Sequence, residues 1–237
     1  MSTRIWILLA GFSLLIVVPL VASAIGSPPD VDPANFVPGQ AIDNPYFPHP
    51  VGRLFVYEGV SEGVATHDEV CVTSQTRPPI EGVQVTVVHH RTLEGGVLVE
   101  NTFDWFAQDI DGNVWYFGED TTEFPSGSTE GSWEGGVDDA DSGFIMLADP
   151  QLGDRYYQEF ARNVAEDQAK VLSVDESLCL ESGQCYDDVI LTKETSRLDP
   201  SVLEYKYYAP DVGFILGTIV KGGEEHTELV SIGTCSE

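Results

Sequence analysis

From Arg53 to the C-terminus, apolar and polar residues alternate in short runs punctuated by Gly, Pro, Asn and Asp, which is the pattern of half-buried β-strands. It predicts strands at 53–60, 67–75, 81–91, 97–107, 113–118, 155–161, 167–175, 185–194, 202–209, 212–220 and 226–232. No segment keeps a helical period over a dozen residues; Phe160–Ala169 is mildly helical, but Val171, Leu172 and Val174 draw it toward strand. Connections of a few residues imply hairpins rather than crossover helices. The expected fold is therefore all-β: an antiparallel meander forming a strongly curled sheet or barrel. No repeat of twenty to fifty residues supports a propeller or solenoid.

Two segments precede the strands. Residues 1–24 carry Arg4, an apolar run from Ile5 to Val21, and then Ala22, Ser23 and Ala24, the small-residue form of a signal-peptide cleavage site. Cleavage is expected before Ile25, giving a secreted or periplasmic protein with no integral membrane span after cleavage. The alternative is a retained anchor, because the run is at the lower limit for a spanning helix. Residues 25–50 hold prolines at 28, 29, 33, 38, 45, 48 and 50, so they are expected to be an extended, proline-rich N-terminal arm. Residues 51–237 then form a single β domain.

Cysteine and charge narrow the picture further. Cys71, Cys179, Cys185 and Cys235 are an even set without a CxxC motif, which in an exported chain favours two disulfides. Of three connectivities, Cys179 with Cys185 across a turn and Cys71 with Cys235 are preferred. The net charge of −28, from 11 basic and 39 acidic side chains, excludes nucleic acid and anionic membrane surfaces as partners, since both require a basic footprint.

Asn44-Pro45-Tyr46-Phe47-Pro48, with Gly52 and Tyr57-Glu58-Gly59, forms an opening motif. Phe103-Asp104-Trp105-Phe106-Ala107-Gln108-Asp109, with Gly112-Asn113-Val114-Trp115-Tyr116-Phe117-Gly118-Glu119, forms a second, and Lys206-Tyr207-Tyr208-Ala209-Pro210 continues the likeness. In these motifs the chain resembles a group of exported bacterial β-rich proteins. The resemblance implies a β-rich exported protein and no catalytic residue.

Candidate chemistry concentrates where the chain lacks cations. No Lys or Arg lies between Arg91 and Arg155, while fifteen acidic residues occupy 92–154. Asp109, Asp111, Asp120, Asp138, Asp139 and Asp141 are candidate calcium ligands, because hard cations take several carboxylate and carbonyl oxygens from flexible loops. Asp109, Asp111, Asn113 and Asp120 copy positions 1, 3, 5 and 12 of a calcium loop, but Val114 stands where that loop needs Gly; a hairpin turn at Asp111-Gly112-Asn113 explains the same residues without metal. Trp105, Trp115 and Phe117 are candidate contacts for an apolar or amphipathic small molecule inside the curved sheet.

Asp104, Glu119 and Glu134 beside tryptophans also suit a carboxylate-based extracellular glycan hydrolase, although Asp104 and Trp105 must point to opposite faces of one strand. His89 and His90 likewise oppose each other, which disfavours a shared metal, and His49, His67 and His226 are scattered. No GxSxG elbow or phosphate-binding glycine loop is present. The expected protein is thus a non-enzymatic exported binding or structural protein, with the hydrolase as alternative.

Overall fold

The computed structural model describes residues 26–236, so the expected signal peptide and its cleavage site lie outside the described residues. The strands are β1 (Arg53–Ser61), β2 (Val64–Val72), β3 (Thr86–Glu94), β4 (Val97–Gln108), β5 (Val114–Glu123), β6 (Trp133–Glu134) and β7 (Asp141–Met146). They continue with β8 (Arg155–Tyr157), β9 (Glu159–Phe160), β10 (Asp167–Cys179), β11 (Cys185–Ser196), β12 (Leu203–Ala209), β13 (Gly213–Lys221) and β14 (Glu225–Thr234). The chain is all-β, and every ladder is antiparallel.

One sheet runs β8-β10-β11-β12-β13-β14-β1-β2-β3-β4-β5-β7-β9, with β6 beside β5. Its first and last strands are consecutive in the chain, joined through Gln158 alone. Arg155–Tyr157 pairs with β10 and Glu159–Phe160 with β7, so this one kinked stretch nearly closes the sheet into a barrel. Closure also protects strand edges, which would otherwise offer unpaired backbone groups to another chain.

The tightest turns follow from backbone freedom. Glu62-Gly63 and Gly95-Gly96 each join two strands through a pair of residues with positive φ, the geometry that matches the twist of a two-residue hairpin. Pro78, Pro79 and the Ile80–Val83 bridge hold 73–85 out of the ladder, so β3 begins at Thr86 instead of residue 81. Strand β5 passes through Gly118 and continues to Glu123, because a bulge absorbs that glycine. β6 and β7 lie in the stretch expected to be acidic loop.

The proline-rich segment contains a short 3-10 turn (Pro33–Asn35) and otherwise only the Ile42–His49 bridge. It runs along the barrel, and Ile42, Asn44, Phe47 and His49 are buried. Asn44 donates from Nδ2 to the carbonyls of Gly112 (2.9 Å) and Leu147 (3.0 Å), Gln108 accepts from the backbone of Asp43 and Asn44, and Asp211 donates to the Pro45 carbonyl (2.7 Å). These anchors sit at the β4–β5 and β12–β13 turns, which antiparallel pairing puts at one end of the barrel. Residues 42–49 therefore plug that end.

Both expected disulfides are present. Cys71–Cys235 joins β2 to the segment after β14 across a Cα separation of 6.0 Å, and Cys179–Cys185 links directly paired residues of β10 and β11. Two apolar cores result. The interior holds Phe55, Val72, Val88, Phe106, Val114, Met146, Ile190 and Tyr208; a smaller core on the outer face of β3–β5 holds Val87, Trp105, Trp115 and Phe117 under Ile80, Val83, Val85 and Phe36.

Candidate functional site

The barrel interior changes character along its length. Inward positions, read away from the plug, run Val72, Val70, Asp68, Thr66 on β2; Val88, His90, Thr92 on β3; and Phe106, Asp104, Thr102, Glu100 on β4. On β12 they run Tyr208, Lys206, Glu204, on β11 Ile190, Thr192, Glu194, and on β14 Leu229, Thr227, Glu225. Period-two alternation places each set on one face, and the register brings the sets level. An apolar floor at the plugged end thus rises into a ring of charged and hydroxyl side chains.

A cavity of about 410 Å³ occupies this gradient, within the range of small-molecule pockets. Its lower wall is aromatic: Phe47 and Phe106 centroids lie 5.3 Å apart, Phe106 and Tyr116 4.8 Å, Tyr57 and Phe214 5.3 Å, and Tyr208 and Phe214 5.8 Å. His49 stacks on Phe47 at 3.9 Å, and burial pushes its imidazole down to about 3, so it serves as a neutral ring in the floor.

The upper wall contains three polar groups. His90 Nε2 lies 3.1 Å from Asp68 Oδ1, which also accepts from Thr92 Oγ1 at 2.7 Å. Burial opposes the charged imidazole, but the Asp68 hydrogen bond and the Asp104, Asp68 and Glu100 charges outweigh it and raise His90 above its ordinary value. Across the cavity, Lys206 Nζ reaches Glu194 (2.9 Å) and Glu204 (3.3 Å). Burial works against this ammonium too, and the two carboxylates more than offset it, holding Lys206 well above the usual lysine value.

The third group depends on the β5 bulge. Strict alternation would put Tyr116 and Glu119 on opposite faces; Gly118, at φ 129°, takes up the extra residue and turns Glu119 inward opposite Asp104. The Tyr116 hydroxyl then lies 2.7 Å from Asp104 Oδ1 and 3.0 Å from Glu119 Oε2. One phenol has one proton to share between two carboxyl oxygens, so a proton held by either acid removes an acceptor facing an acceptor. Burial, followed by the Asp104 charge, raises Glu119 to about 8, and burial raises Asp104 as well.

The candidate ligand contacts of the sequence lie elsewhere. Trp105, Trp115 and Phe117 all face the outer core: Arg77 stacks on Trp105 at 3.6 Å, the Trp115 indole donates to Asp109 Oδ2 at 2.8 Å, and Phe36 covers Trp115 and Phe117. The inward aromatics are their neighbours Phe106 and Tyr116. Trp105 does line a second hollow of about 430 Å³ with Trp133, Glu119 and Asp120.

The candidate calcium ligands do not converge. Asp109 is buried and fully used by its turn, accepting from the backbone of Asp111 and Asn113, from Asn113 Nδ2 and from Trp115. Asp111 sits in that turn, Asp120 on the outer face of β5, Asp138 and Asp139 in the β6–β7 loop and Asp141 at the start of β7, all five exposed. Among the described residues no group of three or more His, Cys, Asp or Glu is placed to hold a metal ion. Glu134, the third hydrolase candidate, pairs with Arg77 at 2.8 Å. His89 stacks on Phe103 outside the barrel while His90 faces inward, as the strand period requires.

Lys206, Glu194, Glu204 and Glu225 were not singled out from sequence. Their signal is the inward sequence of each strand, apolar at one end and polar at the other, which becomes visible once the face is known.

No protein-family model matches the chain, and no curated protein matches it. Similar solved structures include the following two. A protein of Bacteroides fragilis NCTC 9343, named a "putative exported protein with YmcC-like fold", is 16% identical with a TM-score of 0.46, over 82% of this chain and 100% of that one. A protein of Parabacteroides distasonis ATCC 8503, named a "putative lipoprotein", is 15% identical with a TM-score of 0.41, over 79% of this chain and 98% of that one.

Proposed function

We propose that this chain is an exported, non-enzymatic binding protein that holds one amphipathic small molecule in the barrel interior. The observation that carries the reading is the graded cavity: aromatic and aliphatic floor, charged upper ring, and a size suited to a small organic ligand. The two disulfides support a secreted or periplasmic location, where such bridges persist. Binding is favoured over glycan hydrolysis because only Asp104 of the two inward acids lines the cavity, and the Tyr116 phenol stands between it and Glu119. A glycosidic bond needs both carboxyl groups around one site. Calcium has no part in this reading, since Asp109 is occupied by its turn.

The test is titration with the neutral fluorophore N-phenyl-1-naphthylamine. Saturable one-to-one binding is expected, abolished by Val70→Phe, which fills the cavity wall, in a variant whose melting is still cooperative. Binding that survives Val70→Phe unchanged places the fluorophore elsewhere and overturns the reading.

A further inference from the structure

The charged ring has a sign. Asp68, Asp104, Glu204 and Glu225 face the cavity, against Lys206 and His90. Lys206 is engaged by Glu194 and Glu204, and His90 by Asp68. Asp104 receives the Tyr116 hydroxyl, whereas no hydrogen bond reaches the Glu225 carboxylate among the described residues and Lys206 acts on it through its charge alone. The ring is therefore short of positive charge and of donors.

A second observation points the same way. Thr66, only 6% exposed, has a hydroxyl with no hydrogen-bond partner among the described residues, and such a buried orphan carries a cost that a ligand can remove. It lies on the inward face, one pleat above Asp68. Gly59 separates it from Thr227: the two hydroxyl oxygens each stand 2.9 Å from where a β-carbon on Gly59 would be. Gly217 continues the same row on β13, where Phe214 Cζ and Glu204 Oε1 stand 3.0 and 3.1 Å from where its β-carbon would be, so the two glycines let the groups around Thr227 and Glu225 pack close.

Resting on the reading that this cavity holds a ligand, we infer that the ligand is an organic ammonium: an apolar body on the aromatic floor and a positively charged nitrogen under Glu225 and Asp104. Aromatic faces attract such cations through their quadrupoles, and Tyr57 and Phe214 stand at the boundary between floor and ring. An ammonium that still carries N–H can also donate to Thr66 Oγ1. A carboxylate or phosphate head would instead meet uncompensated acids.

Calorimetric titration of the disulfide-bonded protein with three ten-carbon probes, each below its micelle concentration, decides the matter. The probes are decyltrimethylammonium, decanoate and uncharged decyl glucoside. Decyltrimethylammonium is expected to bind at least about tenfold more tightly than decanoate, a ratio equivalent to about 1.4 kcal/mol. Glu225→Gln should reduce that ratio to below about threefold while leaving decyl glucoside unchanged. In the unsubstituted protein, added sodium chloride should weaken the cation alone, a readout independent of any variant's folding. Equal or tighter binding of decanoate overturns the ammonium assignment and leaves the cavity reading intact. Failure of all three probes to saturate overturns both.

Discussion

Asp104 and Glu119 face each other across β4 and β5 and meet at a single hydroxyl, that of Tyr116. Two acids with one intervening proton donor cannot both ionise without leaving an acceptor facing an acceptor. The barrel interior is accordingly a place where carboxyl groups keep their protons to higher pH than they do in water.

That arrangement gives stability a definite pH slope. Glu119 is raised to about 8 in the fold, and Asp104, Glu204 and Glu225 are raised as well, so between roughly pH 5 and 8 the native state holds protons that the unfolded chain has released. Buried His49, lowered to about 3, works the other way up to about pH 6.5, where the unfolded chain takes up a proton the fold refuses; above that only the raised groups titrate, and stability falls as pH rises toward 8. His90, also raised, adds stability below its unfolded value that is lost as pH climbs through the folded one, the same sign. The melting temperature is expected to be higher at pH 6.5 than at pH 8, and Glu119→Gln, which keeps a donor toward Tyr116, should flatten the decline. A melting temperature that rises over this interval would contradict the shared-proton geometry.

Lys206 is the cation most deeply committed to the interior. Lys206→Met leaves Glu194, whose side chain is 7% exposed, facing Glu204 without a counter-charge. Removing one partner of such a pair costs about 3 kcal/mol, or about 6–12 °C for a chain of this size. Adding Glu194→Gln should restore part of the loss, and a urea-unfolding double-mutant cycle measures the coupling.

The two bridges are expected to contribute unequally. On the loop-closure argument Cys71–Cys235 stabilises by about 5 kcal/mol and Cys179–Cys185 by about 2 kcal/mol. Replacing each pair by alanine and comparing calorimetric melting should give the larger drop for Cys71 and Cys235. The reverse order would mean that β2 and the C-terminal segment are held together mainly by their neighbours.

The exposed carboxylates of the β6–β7 region should respond to ionic strength and not to the identity of the cation. Calcium chloride and sodium chloride at matched ionic strength are expected to raise the melting temperature alike. Asp138→Asn with Asp139→Asn should leave both responses in place, because asparagine tolerates the left-handed backbone found at these positions. A larger increment with calcium, abolished by the double variant, would establish a cation site there.

Much of the fold could be read from strand period and turn chemistry. Alternation alone separates Asp104 from Trp105 and His89 from His90, and the even cysteine set, with its turn at Glu181-Ser182-Gly183, yields both bridges. That the candidate ligand contacts lie on the outer face was not legible because two aromatic stripes share the same strands: Trp115 and Phe117 are as apolar as Phe106 and Tyr116, and only residues 31–36 and 76–85, packed outside, show which stripe is external. Glu119 was hidden by the bulge at Gly118, since one extra residue reverses the phase of everything after it. β6 is two residues long and β7 carries Gly143, so neither displays enough alternation to be seen. Lys206 and Glu194 meet through ladder register, which hairpin lengths set and local pattern does not.

The plug has a consequence for how the molecule assembles. Residues 42–49 leave the ribosome before any strand, yet their seat is made of the β4–β5 turn, Leu147 and the β12–β13 turn, the last of which follows most of the chain. A segment synthesised before every strand is thus among the last that can dock. Until it does, Phe106, Val88 and Val72 form a hydrophobic mouth open to water, and contacts this distant in sequence form slowly. A nascent or translocating chain carries that mouth uncovered, so the interval before docking is when it is most exposed to capture by a chaperone or by another copy of itself.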